Sequence, residues 1–358
     1  MEGLLQKWKC ALGVVSLLSS LGFAQTNSTA ASTTPTPSMP GAGELLKTMP
    51  PIPVVSGDMS FNSQFEPGQQ TMLPVFAPVF LVPIAKRGLI QAEFELESDV
   101  VHNNDGGFEP VTLDKSLEYA EFDYFLNRYV TLVGGRFAEP FNIYKERLDA
   151  RWIRDLQEPP LIFSFSDQSG NGGEVRGGIP LSSKVDLNYT TYFSAATSGV
   201  IAGSERMLGL RTSLFLPGPR LEVGFSFNHQ LQDIHATGFG TDITWTMRKL
   251  PLDLRAELLI SPDEGNGYWV EGAWRFTSSQ MPRWLHRSQA ILRQEQYFTP
   301  SKPLQDTELP TVNTTRVFGG WNFYLKDALR ISAAYGRQFA DGGNHNLWDI
   351  GINYRLLK

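Results

Sequence analysis

The sequence predicts an all-β chain that closes into a transmembrane antiparallel β-barrel of about 16 strands, with 14 strands as the alternative. Two patterns carry this prediction. Apolar and polar residues alternate along many segments of about ten residues, and the connections between these segments are alternately short and long. Charged residues are sparse at 19%, aromatic residues reach 12% and glycine occurs 33 times, which favours strands over helical bundles.

The formal net charge of −6 and the scattered Lys and Arg residues give no basic surface of the kind that nucleic acids require. We therefore expect no nucleic-acid partner.

The first 24 residues are typical of a signal peptide. Lys7 and Lys9 precede an apolar run over 11–23, and Gly22 and Ala24 supply small residues three and one positions before Gln25. The single cysteine, Cys10, lies within this segment, so the exported chain contains no disulfide. We expect export and insertion into the outer membrane of a Gram-negative bacterium.

Residues 25–56 are rich in Ser, Thr, Pro and Ala, and they contain few large apolar side chains. Such a segment cannot bury a core, and we expect it to be disordered, as a solvated tail or a spacer. The barrel is then expected to occupy residues 57–358.

Residues 221–228 illustrate the alternation. One face carries Leu221, Val223, Phe225 and Phe227, and the other carries Glu222, Gly224, Ser226 and Asn228. In a soluble sandwich the apolar face packs on a second sheet, whereas in an outer-membrane barrel it meets lipid and the polar face lines a wet lumen. Segments of about ten residues fit a tilted spanning strand better than a sandwich strand of about five or six.

Fourteen strands are predicted near 88–102, 116–126, 129–138, 173–181, 184–194, 206–216, 220–231, 236–247, 251–261, 267–278, 288–298, 315–325, 328–340 and 346–357. Two more are predicted upstream, in "GDMSFNSQF" and "LPVFAPVFLVPI". Pro74, Pro78 and Pro83 weaken the second of these, because proline cannot donate to a strand ladder.

Aromatic residues near the strand ends are expected at the bilayer interfaces, where amphipathic rings are favoured. They are Tyr119, Tyr124, Tyr189, Phe193, Trp245, Trp269, Trp274, Trp321, Tyr324, Trp348 and Tyr354.

A long charged insert at 139–172 interrupts the strand pattern. Its basic residues are Lys145, Arg147, Arg151 and Arg154. If the segment forms a short helix, the three arginines share one face, and Leu148 and Trp152 can pack it against a wall. An arginine cluster in a narrow pore would attract anions. The alternative is that the arginines pair with Glu146, Asp149, Asp155 and Glu158 in a nearly neutral loop.

Strand parity also predicts charged residues that face the lumen. The basic ones are Arg136, Arg176, Arg211, Arg255, Arg275 and Arg330, and the acidic ones are Glu174, Asp253, Glu257 and Glu271. The predicted wall is therefore mixed in sign.

The strand "RYVTLVGGRFAEPF" and the insert after it resemble the phosphate-selective porin O and P family over about residues 88–200. Gly135, Phe137, Pro140 and Phe141 match the family's Gly-x-Phe-x-x-Pro-Phe pattern. The resemblance implies a homotrimer of 16-stranded outer-membrane barrels, with loops folded into the lumen and basic side chains that draw anions through. The family's basic ladder is not evident in this chain.

These features predict a porin that lets small hydrophilic solutes diffuse passively. A preference for phosphate-like or small organic anions is the finer form of this expectation. Membrane lipid, the solutes and two further copies of the chain are the expected partners. The rival readings are a closed barrel that serves as a surface scaffold or adhesin, and an outer-membrane enzyme that acts on lipid. We expect no enzyme activity, cofactor or metal, since no catalytic motif is present and the five histidines lie far apart in sequence.

Overall fold

The computed structural model describes residues 52–103, 106–109, 111–166, 169–195, 206–232, 235–277, 281–301 and 309–357. The predicted signal peptide and most of the predicted disordered segment lie outside these residues. The first strand begins at Val54, so residues 54–56 belong to the barrel, which starts slightly before the predicted boundary at 57.

Sixteen strands form one closed sheet. Their bounds are β1 Val54–Glu66, β2 Gln69–Ile84, β3 Gly88–Asn103, β4 Thr112–Phe125, β5 Thr131–Ala138, β6 Ser169–Ser182, β7 Val185–Ala195, β8 Arg206–Leu216, β9 Leu221–Gln230, β10 Thr237–Thr246, β11 Leu252–Ser261, β12 Gly265–Arg275, β13 Ser288–Phe298, β14 Thr314–Lys326, β15 Leu329–Ala340 and β16 Gly343–Leu357. The prediction of a closed antiparallel barrel with 16 strands is confirmed.

Every strand pairs antiparallel with its neighbours in sequence, and β1 pairs with β16 to close the barrel. The closing register joins Ser56 to Leu357 and Phe65 to Trp348. Closure leaves no strand edge unpaired, which is what a sheet in lipid requires.

The two faces of the sheet divide as the alternation predicts. On β1 the outward residues Met59 and Phe61 are exposed. Ser60 and Asn62, which alternate with them along the strand, are buried inside. Apolar side chains thus cover the outside of the barrel, and polar side chains line its interior.

The three prolines of β2 are accommodated within a full-length strand. β2 pairs with β1 without interruption from Gln69 to Leu81, but its pairing with β3 is interrupted around Pro74 and Pro78. The missing proline donors therefore open gaps on one side of the strand without ending it.

The helical structure consists of short turns. A π-helical turn spans Tyr144–Leu148, α1 spans Phe163–Ser166, and a 3-10 turn spans Leu285–Arg287. Among the described residues, no helix is long and apolar enough to cross a membrane.

The longest connection joins β5 to β6 and contains the predicted insert, which ends where β6 begins at Ser169. We call the end of the barrel where β5 stops the loop end, and the opposite end the turn end. The connection between β12 and β13, at 276–287, is long although it lies at the turn end.

Candidate lumen constriction

The described part of the insert, residues 139–166, enters the barrel directly after β5. Within β5, Gly135 has a φ of +130°, and a Cβ there would lie 2.4 Å from the carbonyl oxygen of Ala120 on β4. Asn142 also has a positive φ, 55°, and its backbone N–H donates to the Ser226 hydroxyl at 2.9 Å. The buried Glu139 carboxylate accepts a hydrogen bond from the Ser194 hydroxyl. These contacts direct the chain from the rim into the lumen.

The aromatic residues of the matched motif are buried at the entry. Phe137 packs edge to face on Tyr192, with ring centroids 6.1 Å apart, and Phe141 lies 4.9 Å from Phe165. The side chain of Pro140 is also buried. The motif therefore acts as an anchor between the barrel wall and the insert.

An apolar core inside the barrel holds the insert against the wall. Its buried members are Phe141, Ile143, Tyr144, Leu148, Leu161, Ile162, Phe165, Leu259, Trp269, Tyr297 and Leu309. Three of them, Leu259, Trp269 and Tyr297, come from β11, β12 and β13. On this side the lumen is packed like a protein interior.

Glu257 receives the start of the π-helical turn. Its Oε1 accepts the backbone N–H groups of Ile143 and Tyr144, each at 2.7 Å, and its Oε2 accepts the indole N–H of Trp269 at 2.9 Å. A buried carboxylate with three donors is well satisfied. Parity predicted that Glu257 faces inward, but only the fold reveals its partners.

Lys145 and Arg147 reach different parts of the wall, on β4 and β9. The Lys145 ammonium lies 2.8 Å from Glu118 on β4 and 3.0 Å from Asp149. The Arg147 guanidinium binds Glu222 on β9 with two hydrogen bonds. Both cations are buried, at 7% exposure.

Arg151 and Arg154 also have acidic partners. Arg151 contacts Glu97 at 3.0 Å and Glu95 at 3.9 Å, both on β3. Arg154 contacts Asp149 at 2.7 Å and donates from Nε to the carbonyl of Leu148. The pair of Arg154 with Asp149 lies within the insert, as the alternative of a nearly neutral loop predicts. The pairs that Arg147 and Arg151 form with glutamates of the wall are not predicted by that alternative.

The helix that would align the three arginines on one face does not form. The helical turn ends at Leu148, and Arg151 and Arg154 follow in irregular backbone. Arg147 and Arg151 consequently point to β9 and β3. Leu148 and Trp152 do pack against the wall, the latter edge to face with Tyr324 at 6.3 Å.

Burial opposes the charge on Asp149, but Lys145 and Arg154 together hold the pKa of this carboxyl below its ordinary value. Burial likewise opposes the charge on Arg154, whereas Tyr144 and Asp149 raise the pKa of its guanidinium. The insert therefore keeps these groups ionised at neutral pH.

The second half of the insert is tied to β11 and to β13–β15. Asp155 contacts Arg255 at 3.0 Å and accepts from Gln289 at 3.0 Å. Glu158 contacts Arg316 at 2.8 Å. Arg330 donates to the carbonyls of Arg151 and Arg154 at 2.8 and 2.7 Å. The insert therefore lies inside the barrel and spans the lumen.

Two of the three predicted wall arginines in strands β5–β8 face the lumen. Arg176 meets Glu121 at 3.1 Å and Asp123 at 2.9 Å, and Arg211 meets Asp242 at 2.9 Å.

The third, Arg136, does not face the lumen as predicted. The register aligns it with Ala120 and places it on the same face as the outward residues Leu132 and Phe122. Gly134 and Gly135 precede Arg136 and have no side chains. The alternation of polar and apolar side chains is therefore interrupted at the point where it would show which face Arg136 occupies.

The aromatic prediction also needs correction at Tyr119, Trp269 and Tyr324. Tyr324 pairs with the inward Arg330, and its hydroxyl donates to Gln289 inside the barrel at 2.9 Å. Trp269 is 1% exposed and lies inside, in the insert core, and the register puts Tyr119 beside the inward Glu93. Trp245, Trp274, Trp321 and Trp348 lie on the outer face with 36–52% exposure, as predicted.

An accessible side of the lumen remains along β3 and β4. The side chains of Glu95, Glu97 and Glu118 retain 25%, 26% and 20% exposure, whereas the inward Glu257, Arg293 and Arg330 on the opposite wall retain 1–3%. We call the solvent-accessible part of the lumen beside Glu95, Glu97 and Glu118 the passage. Among the described residues, no group of three or more His, Cys, Asp or Glu side chains is arranged to hold a metal ion.

No protein-family model matches the chain, and a search of curated proteins finds no match either.

Solved structures of similar fold are bacterial outer-membrane porins. The anion-selective porin from Comamonas acidovorans is 11% identical, with a TM-score of 0.57, and the match covers 85% of this chain and 99% of that one. OprB of Pseudomonas putida, in a high-pH structure, is 9% identical with a TM-score of 0.61, covering 85% and 94%. OmpT of Vibrio cholerae lacking loop L8 is 11% identical with a TM-score of 0.52, covering 85% and 99%. At these identities the likeness shows a shared fold.

Proposed function

We propose that this chain is an outer-membrane porin through which small hydrophilic solutes diffuse passively along the passage. The observation that carries the proposal is the asymmetric position of the insert. Its apolar side packs on β11–β13, and its contacts with β1, β3 and β4 are hydrogen bonds and ion pairs. The carboxylates of β3 and β4 retain access to solvent. A loop folded into a polar barrel in this way narrows the lumen without requiring any chemistry.

The proposal includes export by the predicted signal peptide at 1–24 and insertion with the loop end facing outward. Strand turns facing the periplasm and longer loops facing outward would match the asymmetry of outer-membrane barrels. Residues 25–56 would then precede the barrel as a solvated segment, apart from the residues that join β1.

A preference for anions is the finer form of this proposal. Its support is the resemblance to the phosphate-selective porins and the fold shared with an anion-selective porin. It requires that Lys145, Arg147, Arg151, Arg154, Arg176 or Arg211 present positive charge to a solute. Each of these cations has an acidic partner within 3.0 Å.

We also propose that three copies assemble into a trimer. The support is local: Arg136 lies on the outward face, next to the facing glycines Gly134 and Gly173. A second copy would cover a charged side chain that is costly to leave against lipid. Light scattering of the detergent-solubilised protein should give three chains per particle.

The rival function is a closed barrel that acts as a surface scaffold. The observation favouring it is the number of directions in which the insert is anchored, from Glu118 on β4 to Arg330 on β15. If these anchors also seal the passage, no solute crosses.

Single-channel recording in a planar bilayer separates the two functions. The porin predicts discrete conductance steps from the intact protein, and a larger step size when residues 143–161 are replaced by a short Gly-Ser linker. The scaffold predicts steps only from the linker variant. Heat-modifiable gel migration shows that each barrel is folded. As a milder variant, Leu148→Ala loosens the insert core without deleting it.

A further inference from the structure

We propose that the passage is an acidic conduit that favours small cations and protonated amines over anions. This inference rests on the proposed porin function and opposes its anion-preferring form.

The acidic lining begins on β3, where every second side chain faces inward. Glu93, Glu95, Glu97 and Asp99 share this face, while Phe94 and Leu96 between them are exposed on the outer surface. Glu118 on β4 and Asp149 on the insert add two further carboxylates.

An independent observation comes from β1. Asp58 is 3% exposed, and its Oδ2 has no hydrogen-bond partner among the described residues. The register pairs Asp58 with Ala77 on β2, and the pairs Val75–Glu97 and Val79–Glu93 put Glu95 on the other side of Ala77. Only the small side chain of Ala77 lies between the carboxylates of Asp58 and Glu95 in the sheet. Asp58 also interacts electrostatically with Glu93 and with Arg151.

The cations nearby are fewer and less accessible. Lys145, Arg151 and Arg154 are the basic groups of the insert on this side, with 5%, 12% and 8% side-chain exposure. Glu95, Glu97, Glu118 and Asp149 retain 20–28%. A solute in the passage therefore meets carboxylate oxygens first, and the buried cations only partly offset their charge.

Towards the turn end carboxylates also outnumber cations, although there the guanidinium of Arg176 is the more exposed group, with 29% side-chain exposure against 0–7% for its acidic partners. Arg176 is there surrounded by Glu121, Asp123 and Glu174, at 3.1, 2.9 and 3.5 Å. A narrow path lined by one sign of charge and walled by a low-dielectric barrel concentrates counter-ions. The counter-ions in this passage are cations.

The test is the reversal potential of single channels under a potassium chloride gradient, with the intact protein and three variants. We expect a reversal that favours potassium. Glu95→Gln should lower the potassium-to-chloride permeability ratio by roughly two- to threefold, and Arg151→Gln should raise it by a similar factor, because each removes one charge of opposite sign from the passage. Asp327→Asn, an exposed carboxylate in the β14–β15 turn, should leave the ratio unchanged.

Opposite shifts in the two lumen variants support the acidic conduit, since a merely structural disturbance would not follow the sign of the charge removed. A chloride-favouring reversal in the intact protein overturns this inference but keeps the porin. An absence of steps from folded protein overturns the porin function, and the inference with it.

Discussion

Arg147 in the insert and Glu222 on β9 form a two-pronged ion pair inside the barrel, with Nη1–Oε2 and Nη2–Oε1 distances of 2.7 and 2.9 Å. The Ser213 hydroxyl donates to the same carboxylate at 2.6 Å. The side chains of Arg147 and Glu222 are 7% and 2% exposed. Arg147, which the sequence suggested as a pore cation, therefore helps to attach the insert to the wall.

Removing one partner of this pair should be costly. Glu222→Leu leaves a buried guanidinium without its main counter-charge, and we expect a loss of about 3–5 kcal/mol in the free energy of unfolding. The double variant Arg147→Met, Glu222→Leu should recover much of that loss, because no unpaired charge remains. Urea unfolding of the folded barrel measures both values, with the exposed Arg128→Met as control. Additive effects of the two substitutions would contradict a direct coupling.

Glu257 fixes the start of the π-helical turn through two backbone donors. Glu257→Leu should leave the N–H groups of Ile143 and Tyr144 unsatisfied and loosen this part of the insert. Amide hydrogen exchange at residues 143 and 144 should become faster, whereas exchange in β3 stays unchanged. Glu257→Gln keeps an acceptor oxygen and should have a smaller effect. Equal protection in the Leu variant and the parent would argue against this anchor.

The sequence predicts the barrel well because alternation is a local signal that repeats in every strand. All 16 predicted strands are present, including the proline-containing β2, whose gaps occur on the β3 side alone. Local parity fails at Arg136, where two glycines precede it. At Trp269 the expectation of an interfacial aromatic residue fails, because the ring shares the inward face of Glu271 and lies in the insert core.

The insert was recognisable from its charge, but its fold was not. Its partners are distant in sequence: Arg147 binds Glu222, and Arg330 binds the carbonyl of Arg154. Pairs of this kind depend on how strands are arranged around the barrel. A short charged segment contains no periodicity that would predict these pairs.

Gly135 and Gly134 offer a matched test of the motif at the entry of the insert. Gly135→Ala puts a Cβ 2.4 Å from the Ala120 carbonyl oxygen at a φ of +130°, whereas a Cβ at Gly134 meets nothing within 4 Å. We expect Gly135→Ala to lower the free energy of unfolding by about 1–3 kcal/mol, and Gly134→Ala to have little effect. Equal stability of the two variants would show that the backbone relaxes at no cost.

Trp269 and Trp274 lie on opposite faces of β12. Trp269 is 1% exposed in the insert core, and Trp274 is 37% exposed on the outer surface. Trp269→Ala should create a cavity and cost about 3–5 kcal/mol of unfolding free energy. Trp274→Ala should cost less, since detergent or lipid fills the space. Urea unfolding of both variants gives the comparison, and a larger loss for Trp274→Ala would contradict the assignment of the two faces.

Asp149 contributes an acid-dependent part of the stability. Although burial opposes its charge, Lys145 and Arg154 hold the pKa of Asp149 below the ordinary 3.8. A carboxyl with a lowered pKa in the folded state stabilises the fold above its unfolded pKa and loses this contribution as the pH falls through its folded pKa. Between pH 5 and pH 2, Asp149→Asn should therefore lose less stability than the parent, while being less stable at pH 7. Urea midpoints at each pH measure this, with Asp327→Asn as the exposed control. Parallel pH profiles for the parent and Asp149→Asn would mean that the ion pairs of Asp149 persist equally in the unfolded chain, or contribute nothing to the position of the insert.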